Sequence, residues 1–373
     1  MSASPLQFQE VVNTLAKLAD KSFVRGFFVP ALLGTFAILA LNADILQSTP
    51  LFLAATREDI LFYLSAAILA LWVVAMLLLV TNVAAYRILE GYAWPFGSKF
   101  LLAKQIKRRR EQRLMVRRVF AEMTALASRR DDASEFDGPL ATAAREKQYQ
   151  YLSLLAQLKV SYPEEPHLVL PTRFGNVVRA FETYPLVVYG VEGTRVWARL
   201  VAVITPEFQA SLAEAKSRVD FWVSLVFLSA LTGTISLVRG VGVAYHHGWG
   251  KRVAILFICA AIFVVIARAL YLASVSSLAA WGEALNSAFD LYLPALARKL
   301  GYRLPRSLVE RRRFWNEFSS QITFFDPMRS EDWEEFAASA PRVSRPDSEH
   351  AEADRDAEDE GDEGDEPRGD KGE

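Results

Sequence analysis

Apolar positions along this chain fall into two patterns, unbroken runs and one-sided stripes. Four runs, at roughly 26 to 43, 60 to 83, 221 to 238 and 253 to 275, are long enough at about 1.5 Å per residue to cross a hydrocarbon core of about 30 Å. The third, FWVSLVFLSALTGTISLV between Asp220 and Arg239, is the shortest. Ahead of the first run, Phe8, Val11, Val12, Leu15 and Leu18 share one helical face, so residues 1–25 read as an amphipathic helix lying in the membrane interface. The second run continues through NVAAYRILEGYAW to an expected break at Pro95, with a helix restarting at about Ser98. Val116, Phe120, Met123 and Ala127 extend that helix as an apolar stripe until the polar segment RRDDASEFDG stops it. A return helix from about Leu140 carries Tyr151, Leu154, Leu155 and Leu158 on one face, which predicts an antiparallel helical hairpin.

Beyond SYPEEP the pattern changes to short helical pieces divided by Pro and Gly, HLVLPTRFGNVVRAFETYPLVVYGVEGTRVWARL. Thr205 then reads as a helix N-cap and Pro206 as the first helical residue of a helix running unbroken into the third span. The fourth span is expected to overrun as far as Pro294, giving about 60 Å of helix from Val253 to Tyr292. The fold class is therefore all-α: a polytopic membrane protein with four transmembrane helices, a cytoplasmic helical domain and a disordered acidic C-terminal tail. Its parts are the amphipathic helix 1–25, a transmembrane hairpin 26–83, a cytoplasmic helical domain 84–220, a second transmembrane hairpin 221–275, a helical stalk with C-terminal helices 276–340, and the tail 341–373.

Composition supports this reading, with 52% hydrophobic residues and a mean hydropathy of +0.15. The net charge of −1 conceals an asymmetry: residues 347–373 hold 14 acidic side chains against three basic ones, so the tail is −11 and the rest is +10. A basic body bearing long apolar runs fits contact with anionic lipid headgroups and excludes a nucleic-acid role. Basic residues also set orientation. Twenty lie in 1–25, 84–118 and 281–313, against four in the remaining loops, Arg57, Arg239, Lys251 and Arg252. Both termini and the central segment are thus expected in the cytoplasm. The one cysteine, Cys259, excludes a disulfide framework within the chain. The tail reads either as an arm that folds back on the arginines at 108–110 or 311–313, or as a solubilising extension.

The densest mix of polar and aromatic residues is the central segment. Arg173, Asn176, Arg179, Arg195 and Arg199 are candidates for an anion site, because guanidinium forks suit carboxylate and phosphate and PTRFGN opens a helix whose free N–H groups point the same way. The competing reading pairs these arginines with Glu182, Glu192, Glu283 or Asp290 as structural partners. Glu283 and Asp290 stand about 10 Å apart along one helix face, too far to share a proton. Arg268 inside the fourth span either snorkels or marks an ion path. His246 and His247 are a weak ligand pair in a Gly-rich outer loop. Walker, GxSxG, HExxH and GxGxxG motifs are missing, so no metal or cofactor is expected.

FVRGFFVP before the first span, RILEGY after the second, PTRFGN with YG and VWARL in the centre, and AFDLY after the fourth together resemble a group of largely uncharacterised bacterial integral membrane proteins, over nearly the whole chain to about residue 318. The resemblance implies the same four-span layout in a bacterial inner membrane, with a cytoplasmic region between spans two and three. Ala198 departs from it, since Pro is expected there. The leading functional expectation is a non-enzymatic sensor, scaffold or effector whose cytoplasmic domain binds a partner protein or an anionic ligand. An oligomeric channel or transporter, built from copies of this chain, is the alternative, and an enzyme acting on membrane lipids is the third.

The basic-residue count makes the orientation testable. In a Cys259→Ala background, cysteine placed at Gly248 should react with a membrane-impermeant thiol reagent in intact cells, and cysteine at Ala133 should not; labelling at Ala133 overturns the topology.

Overall fold

The computed structural model describes residues 21–41, 57–132 and 138–324. Most of the expected interfacial helix (1–20), the expected first outer loop (42–56), residues 133–137, the end of the expected C-terminal helices (325–340) and the tail 341–373 lie outside the described residues. Among the described residues every regular element is helical: α1 (Lys21–Leu41), α2 (Arg57–Glu90), α3 (Lys99–Asp132), α4 (Gly138–Ser161), α5 (Arg173–Tyr189), α6 (Gly193–Val201), α7 (Pro206–His247), α8 (Lys251–Lys299) and α9 (Leu308–Phe324). Four of these, α1, α2 from Ile60 onward, α7 and α8, are long and apolar enough to cross a membrane.

α7 and α8 form the frame, an antiparallel hairpin closed by only Gly248–Gly250. The helix was expected to end at Val238, with Gly240 and Gly242 in a loop, yet α7 continues to His247. Glycine here serves packing. A Cβ on Gly240 would reach Leu256 at 3.4 Å and one on Gly233 would reach Phe263 at 3.2 Å, so the two backbones approach along a seam of small residues. The Ser229 hydroxyl donates across the same seam to the Phe263 carbonyl at 3.1 Å. α8 likewise passes through Pro294, where a stop was expected. Leu296 and Ala297 beyond it are buried in the core, which outweighs the one backbone hydrogen bond that proline deletes. The helix stops instead at Gly301, left-handed at φ +85°, where the Tyr302 N–H donates to the Ala297 carbonyl at 2.9 Å.

The segment FVRGFFVP becomes a π-helical turn, Val24–Phe28, continuous with the rest of α1, so no break separates residue 25 from the span. Pro30 has no N–H to offer the Gly26 carbonyl four residues earlier. The Ser224 hydroxyl of α7 occupies that acceptor at 3.0 Å. Gly26, Ala31 and Gly34 are buried where α1 crosses α7, and a Cβ on Gly34 would press to 2.8 Å from Leu228. Trp72 of α2 stacks on Phe23 at 5.3 Å and meets Phe28 at 5.6 Å, fixing α2 against α1.

Where these three helices meet, Asp220 is only 4% exposed. Its Oδ1 accepts from Tyr86 at 2.8 Å and Asn82 at 3.1 Å, and its Oδ2 accepts from Lys216 at 2.8 Å. Gly26 of α1 leaves the room, since its Cβ would sit 3.2 Å from that of Asp220. A residue read from sequence as a flank of the third span is thus a buried polar junction.

At the stalk end, the end away from the α7–α8 turn, Val196 and Leu200 of α6, Leu293 and Leu296 of α8 and Phe314, Trp315 and Phe318 of α9 make one core. A second core joins Leu89 of α2, Phe174, Val178 and Phe181 of α5, Val219 and Val223 of α7, and Leu278 of α8. The α3–α4 hairpin forms as expected, but its buried face is shifted. Val116 and Val119 are buried with Gln105 and Arg109, whereas Phe120 and Ala127 are exposed.

Removing the Asp220 carboxylate leaves donors from two helices without an acceptor. Asp220→Ala should cost about 1–3 kcal/mol, read as a lower melting temperature in detergent. Because α7 and α8 run without interruption from the apolar stretches into the stalk, amides 207–220 and 276–290 should exchange hydrogen nearly as slowly as those of the spans. Rapid exchange in both stretches contradicts a rigid stalk.

Candidate anion-binding cleft

α5 owes its position to two short sequences that meet. RILEGY ends α2 at Glu90, with Gly91 left-handed at φ +93°, four residues before the expected break at Pro95. PTRFGN starts α5 against that end. Thr172 is the N-cap: its hydroxyl accepts from Gly175 N–H at 2.9 Å and donates to the Leu89 carbonyl at 2.6 Å. Gly175 must be glycine, because a Cβ would lie 2.4 Å from the Glu90 carbonyl oxygen. Asn176 is wholly buried, with its amide accepting from Leu170 N–H at 2.7 Å and donating to the Leu170 and Thr172 carbonyls at 2.9 and 2.6 Å. Every polar atom of that side chain is used on the backbone, so Asn176 shapes the loop and leaves nothing for a ligand.

The five expected site residues do not converge. Arg173, the first residue of α5, faces the α3–α4 hairpin. Arg179 pairs with Glu182 at 3.6 Å and donates to the Tyr92 hydroxyl. Arg195 and Arg199 lie on the exposed face of α6, where Arg199 donates back to the Arg195 carbonyl at 3.4 Å. Among the described residues, only Glu182 of the expected structural partners has an arginine. Asp290 instead accepts from two tyrosines, Tyr184 at 2.9 Å and Tyr189 at 2.7 Å, and burial with that carboxylate pushes both hydroxyls above the ordinary phenol range. Glu283 is exposed. The hydroxyl of Thr205, expected to cap α7, faces Tyr292 at 3.1 Å and makes no capping bond.

What Arg173 does meet is Arg108 of α3, across a cleft of about 360 Å³ whose walls also include Gln112, Gln157, Ser161 and Tyr162. Among the described residues neither arginine makes an ion pair or a side-chain hydrogen bond. The carboxylate in the cleft, Glu111, stands 4.0 Å from Lys107. Tyr162 is held in the wall by donating to Gln105 at 3.0 Å. Burial pushes its hydroxyl up from the ordinary phenol value, while the positive charges of Arg173, Arg108 and Arg109 act in the opposite sense. The Oε1 atom of Gln112 is buried without a hydrogen-bond partner among the described residues. Val275, the last residue of the fourth apolar run, completes the wall.

The neighbouring Arg109 is a structural arginine. It is 7% exposed and donates to the Glu164 carbonyl, closing α3 onto the chain after α4, and burial lowers its pKa. Lys159 beside Glu164 holds that carboxyl below its usual range. The run of three arginines at 108–110 was visible in the sequence as charge. Which of the three turns toward Arg173 depends on how the hairpin docks on α5.

His246 and His247 are exposed in the last turn of α7, helical where a loop was expected. Arg268 lies over the Tyr271 ring at 5.4 Å. No protein-family model, no curated protein and no solved structure matches the chain.

Proposed function

We propose that this chain is a membrane-anchored, non-enzymatic binding protein of a bacterial inner membrane, with both termini cytoplasmic, whose stalk-end helices receive an anionic group between Arg108 and Arg173. The carrying observation is a pair of arginines that, among the described residues, have no carboxylate partner, set over a polar cleft of about 360 Å³. Guanidinium forks from two helices, with amide and hydroxyl donors around them, match the oxygens of a phosphate or carboxylate. Val275 in the wall supports a position at the headgroup level of the inner leaflet. The helix run Lys99–Arg118 adds Lys104, Lys107, Arg110 and Arg113 near the same end, a positive field that favours anions. The similarity to uncharacterised bacterial membrane proteins belongs to this reading as well.

A phosphate could come from a lipid headgroup or from a soluble molecule. Calorimetric titration of glycerol phosphate into the protein in phosphatidylcholine nanodiscs tests the soluble source. Native mass spectrometry of bound lipid after extraction from phosphatidylglycerol membranes tests the other. Arg108→Ala and Arg173→Ala should each weaken the anion bound by about ten-fold or more, the equivalent of one charge-assisted hydrogen bond. Melting should scarcely change, because neither arginine leaves a buried carboxylate behind. Retention of neither anion by the unaltered chain sinks the proposal.

A further inference from the structure

A second recess lies between α5, α6, α7 and α8, with a volume of about 480 Å³, within the range of small-molecule sites. Its walls are aromatic. Phe181 and Trp281 stand edge to face at 5.2 Å, and Trp197 and Phe289 form a tilted pair at 5.9 Å. These walls are set by glycines: a Cβ on Gly282 would fall 2.6 Å from the Phe181 ring, and one on Gly193 would fall 3.1 Å from Pro185 and 3.3 Å from Phe289. The recess is therefore built into the backbone, since the rings rest directly on helices that carry no side chain there.

Two charged residues line it. Lys216 has its ammonium taken up by both carboxylate oxygens of Asp220, at 2.8 and 3.1 Å. Glu182 is less well balanced. Its partner is Arg179 at 3.6 Å, and Glu90 lies close enough for the two carboxylates to repel each other while the same Arg179 attracts both. Arg87 offsets part of the charge on Glu90. The α5 side of the recess thus holds negative charge beside aromatic rings, the combination that attracts a quaternary ammonium group, whose charge is spread and weakly hydrated.

We propose that this recess binds an amphipathic organic cation, with the ammonium between Glu182 and the faces of Phe181 and Trp281 and the apolar body against Leu285 and Phe289. The Glu182 side chain is 37% exposed beside the recess, open to a second positive partner in addition to Arg179. The site is separate from the Arg108–Arg173 cleft and of opposite charge preference, so it stands or falls independently of the anion reading.

The test uses the full chain in nanodiscs and three probes of matched body: phenylbutyl-trimethylammonium, phenylbutanol and phenylbutyrate. Calorimetry should show saturable binding of the cation, with the alcohol about ten-fold weaker and the carboxylate weaker still. Glu182→Gln should remove most of the cation's advantage and leave the alcohol unchanged. Ala213→Phe, which fills the recess from α7, should abolish binding of both. Should Glu182→Gln melt early, Trp281→Leu serves instead, and it should weaken the cation more than the alcohol. No binding of the cation, equal affinity for cation and alcohol, or binding that survives Ala213→Phe overturns the proposal.

Discussion

The stalk end of this molecule depends on one close approach, that of the α5 backbone to the end of α2. Gly175 rides on the Glu90 carbonyl with no room for a methyl group, and Thr172 ties the α5 N-terminus to Leu89. A glycine and a threonine therefore set the height of α5 against the long helices. Both recesses follow from that height. The first residue of α5 brings Arg173 to Arg108, and its middle brings Phe181 and Glu182 to Trp281. A shift of α5 by one turn, about 5.4 Å, would separate both sets.

The Asp220 junction plays the matching part nearer the apolar runs. A carboxylate is costly to bury unless its acceptor capacity is filled, and here α2 supplies Tyr86 and Asn82 while α7 supplies Lys216. Several small polar side chains in the apolar helices are bonded to backbone. Thr232 and Ser236 donate to carbonyls four residues back in α7, and Ser224 answers the acceptor that Pro30 leaves free in α1. Such hydroxyls let helices approach without exposing unsatisfied groups to hydrocarbon.

One helix connects the two candidate sites to each other. α5 carries Arg173 at its first turn and Glu182 at its third, and it packs on α2, α4, α6, α8 and α9. Its C-terminus is fixed as firmly as its start: Gly190 is left-handed at φ +75°, a Cβ there would strike the Arg312 carbonyl at 2.9 Å, and Glu192 N–H donates to Ser319 at 3.0 Å. Helix α9 thereby clamps the end of the segment opposite the cleft.

The sequence by itself determined the helical class, four helices able to cross a membrane, the α3–α4 hairpin and the unbroken passage of α7 and α8 into the stalk. Each of these follows from local periodicity: an apolar run of about 20 residues leaves the backbone no alternative to a helix in lipid, and stripes at helical spacing mark the rest. Only the tertiary structure decided what proline, glycine and the charged residues do. Pro294 reads as a stop until Leu296 and Ala297 are seen in a core, and Gly240 reads as a loop until Leu256 is seen against it. Arg173 and Arg179 have the same chemistry and stand six residues apart, yet one pairs with Glu182 and the other faces Arg108 from a distant part of the chain. A side chain's partner is set by which surfaces dock, and that information is carried by contacts far apart in sequence, which no local pattern records.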